Sequence, residues 1–368
     1  MSNNSSNLVS EASEDYYNCS GQTYSTDEYV MGGVVTFIVI IFGISSNVLN
    51  LLVFLHVKMR KTSLINWYLA ALSGSDLTAL ICSFIMIPLP RIAERNGLKT
   101  GQEAGASLML LAYPLGLTAQ TLSVWLTVCV SAHRFIAVTF PFRSQQYCRS
   151  MLTKSIIISI LVASVLFNLP RYFDLYVASC YSDRYSQRML EIRQTLFRSN
   201  EHYLLIYHGW IYTIAMLFVP FLLLITMNSI VVMNVHKSRR RHEMIRLTEE
   251  GAKTYSKEAV KERRTTIMLI GLVVVFLVCN FLSLVCNVME LLLSDHAKTE
   301  QFLKAYEVVV TLSNFMVVLN MAITIFVYTT FSPRYRALLR YYLCYCWNRK
   351  QESHLLLRAL DSAADSAV

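Results

Sequence analysis

The chain has 368 residues, of which 54% are hydrophobic and only 15% charged, with a formal net charge of +9. A soluble domain carries about 25% charged residues, so a soluble protein of this length is excluded unless its apolar residues are evenly spread.

They are blocked instead. Stretches free of Asp, Glu, Lys and Arg run over 29–57, 104–132, 202–236, 265–289 and 308–333. A further stretch, 62–90, is broken only by Asp76, and a shorter one, 155–170, is extended by Tyr172 and Phe173, which suit a membrane interface. A hydrocarbon core about 30 Å thick is crossed by roughly 20 apolar residues as helix. The blocks therefore predict an all-α membrane protein with seven transmembrane helices, numbered 1 to 7 in chain order. Residues 1–28 read as an N-terminal tail, 29–331 as the seven-helix domain, 332–346 as an amphipathic interfacial helix 8, and 347–368 as a C-terminal tail. In helix 8, Arg334, Arg336 and Arg340 are expected to face headgroups, and Tyr335, Leu339 and Leu343 to face lipid.

Orientation follows from the basic residues. The segments after helices 2, 4 and 6 hold 10 Lys and Arg, and those after helices 1, 3, 5 and 7 hold 23. The odd-numbered loops are thus predicted to be cytoplasmic and the N-terminus extracellular, in a multi-pass plasma-membrane protein. The positive charge is cytoplasmic-face charge, so no nucleic-acid partner is expected; Lys237-Ser238-Arg239-Arg240-Arg241, after helix 5, suits anionic lipid. Glycosylation sequons at Asn3, Asn4 and Asn18 all fall in the tail assigned outside. No basic, apolar, small-residue pattern precedes helix 1, so no cleaved signal peptide is expected.

Of nine cysteines, only Cys19 and Cys180 fall in loops on the oxidising side. They are predicted to pair, with two free thiols, or Cys286 as a competitor, as the alternatives. Cys344 and Cys346 in helix 8 are candidate palmitoylation sites. Ser366-Ala367-Val368 fits a PDZ-type ligand, a plain tail being the alternative.

Asp76 is the one ionisable residue deep in a helix. A pump needs a relay of such groups, and no HExxH, paired carboxylate or Cys/His cluster appears, so neither enzymatic catalysis nor a catalytic metal is expected. Helix 3 ends in Ser131-Ala132-His133-Arg134-Phe135, where an arginine can simply snorkel. Other residues agree with it: Asn47 in helix 1, Asp76 in helix 2, Trp125 in helix 3, Pro220 in helix 5, Phe276 and Cys279 in helix 6, Asn320 and Tyr328 in helix 7. With these marks, one or two to a helix, the chain resembles the rhodopsin-like (class A) G-protein-coupled receptors over roughly residues 29–346. Thr118 through Val128, Asn168-Leu169-Pro170-Arg171-Tyr172-Phe173, Asn320 through Tyr328, and Phe331 through Arg336 are similar to the FMRFamide-type neuropeptide receptors of invertebrates.

The resemblance implies a receptor for an amidated, FMRFamide-related peptide that activates a heterotrimeric G protein. A seven-helix transporter or channel, or a receptor-like protein uncoupled from G protein, are the alternatives. It also implies a switch of Arg134, Glu262 and Tyr328, and a sodium-type cluster of Asp76, Ser123 and Asn320 with Asn47, against which stands a protonated, hydrogen-bonded Asp76. Several marks of the class are missing. His133 replaces the acid before Arg134, and Met109 stands where helix 3 usually has a cysteine. Helix 6 has Cys279-Asn280 instead of a Trp and a Pro, and helix 7 has Thr324-Ile325 instead of Asn-Pro. Loss of both prolines predicts straighter helices.

The outward-opening faces carry Tyr113, Gln120, His208, Tyr212, Asn280, Ser283, Asn287, Glu290, Glu307 and Asn314 as candidate ligand contacts. Asn280, Ser283, Asn287 and Glu290 share one helical stripe, which equally suits interhelical hydrogen bonding. Gly116 stands where aminergic receptors place an Asp, and helix 7 has no lysine for retinal. For a ligand ending in Arg-Phe-amide, Glu290 and Glu307, with Asp174 behind them, are the candidate carboxylates, and Tyr113, Trp210 and Tyr212 the candidate ring contacts.

Overall fold

The structure, a computed structural model, describes residues 18–19, 24–140, 149–246, 253–292 and 300–346. Seven helices are long and apolar enough to cross a membrane: Thr26–Leu55, Ile65–Arg95, Lys99–Thr139, Ser150–Phe173, Tyr203–Val235, Thr265–Met289 and Ala305–Phe331. These are helices 1 to 7, each containing or overlapping its predicted block. Helix 8 follows as Pro333–Cys346.

The bundle carries its apolar side chains outward as well as inward, as a lipid-facing surface requires. Ile158, Val162 and Leu166 of helix 4 are all more than half exposed, while Ser164 and Asn168 on its other face are buried. Asn168 Nδ2 donates to Thr121 Oγ1 of helix 3 at 2.9 Å, the kind of polar bond that joins helices where lipid removes the hydrophobic drive between them. Close approach is bought with small residues: a Cβ on Gly116 would lie 2.9 Å from Cys82 Cβ, and one on Gly43 would lie 2.9 Å from Ala322 Cβ.

Helix 7 departs from the straight rod expected without proline. Regular helix ends at Ala322 and restarts at Thr324, with Ile323 at φ −92°, ψ 0° between them. The physical reason lies in helix 1. Ser46 Oγ donates to Ala322 O at 3.0 Å, and Asn47 Nδ2 to Met321 O at 2.9 Å; Asn50 Nδ2 reaches Thr324 Oγ1 at 3.3 Å. Neighbouring side chains thus satisfy carbonyls at the break, which a kink needs whether or not a proline causes it. Helix 6 is continuous over Lys253–Leu292.

Helix 5 opens with two π-helical stretches, Tyr203–Ile211 and Ile214–Phe218, before Pro220; such widened turns recur at functional sites. Helix 8 corrects two expectations, since both Tyr335 and Leu339, expected to face lipid, turn toward the bundle core. Tyr335 is fully buried rather than lipid-facing: its hydroxyl donates to Asn50 Oδ1, and its ring packs on Phe54 and Tyr328. Tyr335, Leu338, Leu339 and Tyr342 make the inward stripe, at the three-and-four spacing of one helix face. Leu343 is exposed, as expected.

The chain between helices 4 and 5 forms an antiparallel hairpin, β1 (Leu175–Ser182) and β2 (Gln187–Gln194), in which Cys180 is opposite Met189. Cys19 and Cys180 are joined in a disulfide, as predicted. Cys19 N also donates to Tyr181 O at 2.9 Å. Arg184 meets Glu94 of helix 2 at 2.5 Å, and Lys99 of helix 3 donates to Gln187 at 2.9 Å. The hairpin is thereby held over the end of the bundle from which the N-terminal tail enters.

Candidate functional site

Beneath the hairpin, helices 3, 4 and 5 converge on a charged, aromatic cluster. The last turn of helix 4 supplies Arg171 and is followed by Asp174; helix 3 supplies Tyr113; helix 5 supplies Tyr203, Tyr207, His208 and Tyr212. Arg198 comes from the segment after β2. Thr195 positions that segment, its amide donating to Asp174 O at 2.9 Å and its hydroxyl to Phe173 O at 2.7 Å.

Asp174 is fully buried. Its Oδ1 accepts from Tyr203 OH at 2.9 Å, and its Oδ2 from His208 Nε2 at 3.1 Å, Arg198 Nη1 at 3.4 Å and Tyr113 OH at 3.5 Å. Arg171, 5% exposed, donates from Nη1 to Tyr113 OH at 3.0 Å and to His208 Nδ1 at 3.1 Å. Its guanidinium lies 4.8 Å from the Tyr212 ring centroid and 5.4 Å from that of Tyr207, within cation–π range. Arg198 Nη1 lies against both nitrogens of His208. A neutral imidazole that donates from Nε2 to Asp174 has one lone pair, at Nδ1, for the two arginines, and the approach of Arg198 Nη1 to Nε2 is then a contact between donors.

Sequence reasoning selected Tyr113, His208 and Tyr212, and these are brought together. It placed Asp174 as a reserve partner for a ligand guanidinium; the structure shows that both its oxygens are already engaged inside the protein. Trp210, expected beside the ligand ring, is 48% exposed on the surface of helix 5 and joins no part of this cluster. Arg171 and Arg198 were not selected. Their signal was the chain itself, an arginine three residues before Asp174 at a helix end, where an intramembrane charge calls for a partner.

The helix 6 stripe reads largely as internal bonding. Asn280, 4% exposed, donates to Phe276 O at 2.9 Å, and Asn287 to Ser283 O at 2.7 Å. Gln120 is half-buried, whereas Glu307 and Asn314 are exposed. The side chains of Glu290 and Glu262 lie outside the described residues, as do Asn3, Asn4, the side chain of Cys346 and residues 347–368. Asn18 is exposed, and Cys344 is a half-buried free thiol.

Deeper in the bundle, Ser123 donates to Asp76 Oδ1 at 2.6 Å. Asn47 does not join them; its amide bonds Gly43 O and Met321 O. Asn320 is half-buried. At the helix 8 end, His133 sits edge-on to Tyr68, with ring centroids 6.0 Å apart, and Tyr328 is buried between Phe54 and Tyr335.

A seven-helix bundle with a polar cluster under a tethered hairpin, and an arginine at the far end of helix 3, defines a membrane receptor architecture. The chain belongs to the 7 transmembrane receptor (rhodopsin family), whose family model matches residues 46–328. Members of that family are receptors rather than enzymes, and the family implies a heterotrimeric G protein as partner. The chain is 28% identical over 324 residues to a probable G-protein coupled receptor, frpr-1, of Caenorhabditis elegans, covering 84% of this chain and 77% of that one. It is 26% identical to the FMRFamide receptor of Drosophila melanogaster, over 88% of this chain but only 55% of the fly protein's length. It is 27% identical to the FMRFamide peptide receptor frpr-18 of C. elegans, over 83% of this chain and 67% of that one.

Proposed function

We propose that this protein is a cell-surface receptor for an amidated neuropeptide of the FMRFamide-related kind, with its N-terminus and hairpin outside the cell and helix 8 on the cytoplasmic side. The observation that carries the reading is similarity over more than four-fifths of the chain to two proteins named as FMRFamide receptors. The loop-charge asymmetry supports the orientation. The aromatic cluster supports a peptide ligand, since tyrosine rings bury large area while keeping a polar tip for hydrogen bonds.

The ligand's guanidinium is assigned to Glu290 and Glu307, because Asp174 is already occupied and sits among cations. Saturable binding of labelled Phe-Met-Arg-Phe-amide to membranes bearing the chain tests the reading. Glu290→Gln should weaken that peptide more than its citrulline analogue; equal losses remove Glu290 from the role. At the cytoplasmic end, Glu262 is assigned as the inactive-state partner of Arg134. Glu262→Ala should raise basal signalling, and unchanged basal activity counts against the lock.

A further inference from the structure

We propose that Arg171 is a specificity-determining residue that takes a carboxylate of the ligand on its Nε/Nη2 edge. The proposal rests on the peptide-receptor reading above and adds an acidic group to the ligand class.

A guanidinium presents its donors in a fixed planar fork. Every hydrogen bond that Arg171 makes among the described residues leaves from Nη1, toward Tyr113 and His208. Its Nε is buried and has no hydrogen-bond partner. Nε and Nη2 lie on the same edge, with parallel N–H bonds at the spacing that matches the two oxygens of a carboxylate. The rings of Tyr207 and Tyr212 interact with the cation but do not accept from that edge as an anion would.

Nothing described in the protein fills the fork. Asp174 is committed to Tyr203, His208, Arg198 and Tyr113, and no ion pair joins it to Arg171 among the described residues. The charges also fail to cancel: two guanidinium groups, Arg171 and Arg198, stand against one carboxylate, and His208 adds no negative charge in either protonation state. One positive charge is left over around a residue only 5% exposed, where water screens little. A neutral carbonyl from the ligand would satisfy one N–H and leave the charge. A carboxylate satisfies the edge and the charge together. The ligand is then dipolar, with an acid for Arg171 and a guanidinium for Glu290 or Glu307.

The test uses the full-length receptor in cells and pairs of peptides that end in Arg-Phe-amide and differ only by Glu or Gln at one upstream position, scanned along the peptide. At one position the Glu peptide should be more potent by about tenfold or more, as loss of a charge-assisted bidentate contact predicts. Arg171→Gln should abolish that advantage, so that the Glu and Gln peptides of the pair become equally potent, and Arg171→Lys, which keeps the charge without the fork, should restore only part of it. Equal potency within every pair on the unmodified receptor, or an advantage that survives Arg171→Gln, overturns the proposal. A second measurement needs neither a variant nor a known peptide: thermal melting of the purified receptor with N-acetylglutamate or N-acetylglutamine. Saturable stabilisation by the acid alone supports the site, and equal shifts overturn it. Acid-selective stabilisation with no response to any peptide would keep the carboxylate site and discard the Arg-Phe-amide reading; peptide responses without acid preference would do the reverse.

Discussion

Where helix 1 meets helix 7, the polar side chains are neutral, and Ser46 and Asn47 spend their donors on backbone carbonyls that the break at Ile323 exposes. Where helices 3, 4 and 5 meet, they are charged and aromatic, and four cationic or aromatic partners share one carboxylate, Asp174. The first network carries no charge: the Ser46 and Asn47 donors are bonded, and only the neutral Asn47 Oδ1 is buried without a partner, a smaller cost than an uncompensated ion. The second does not, because buried ions are expensive and a surplus cation is worse. That difference is why we propose the charged part of the ligand site where helices 3, 4 and 5 meet, and not where helix 1 packs on the break in helix 7.

The contrast can be broken most forcefully at Asp174. Asp174→Ala removes the one acceptor shared by Arg198, His208 and Tyr203 and leaves two guanidinium groups in a poorly hydrated site. A loss of about 3–5 kcal/mol is expected, read as a large fall in melting temperature of the purified protein and in surface expression; a fall no larger than that of Asn47→Ala would erase the distinction. Asn47→Ala itself should cost about 1–2 kcal/mol, the usual net value of a buried hydrogen bond with a partner left unsatisfied. Melting of Asn47→Ala, Ser46→Ala and the double variant would show whether the two bonds to helix 7 act together, as a departure of the double loss from the sum of the single losses.

The smallest effect concerns pH and lies outside the membrane spans. His56 caps the short helix Val57–Thr62, its Nδ1 accepting from Lys58 N at 3.3 Å. Burial, with Lys58 and Arg60 nearby, pushes its pKa below the ordinary histidine value. The unfolded chain therefore binds this proton more readily, so the cap's contribution is present above the ordinary histidine range and is lost as pH falls through the lowered value. His56→Asn keeps a capping acceptor without the titration. Its melting temperature should fall slightly less than that of the unmodified protein between pH 7.5 and pH 5.5; identical slopes would mean that His56 does not contribute.

Much of this was legible in the chain. Seven apolar blocks mark seven helices because lipid demands length and apolarity from each one separately, and Cys19 and Cys180 pair because no other described loop thiol shares their side. The kink in helix 7 was not legible, because its cause sits in Ser46 and Asn47, some 275 residues earlier in the chain. Tyr335 was misread for the same reason: an aromatic residue on an amphipathic helix suits lipid or protein alike, and only the position of Asn50 decides. The hairpin is only half legible: Leu175-Tyr176-Val177 begins a β-prone run, but its partner strand, Gln187–Gln194, is rich in charged and polar residues and carries no such signal. Arg171 is not legible either, because an arginine at a helix end can equally snorkel to the headgroups, and only the fold brings it to Tyr113 and His208.

The most direct test of the receptor reading is guanine-nucleotide exchange on a heterotrimeric G protein in membranes containing this chain, with a panel of amidated peptides that includes several ending in Arg-Phe-amide. A saturable, peptide-dependent rise in exchange is expected, and it would show that activation proceeds without the helix 6 and helix 7 prolines. No rise with any peptide, with the protein verified at the cell surface, would contradict the account.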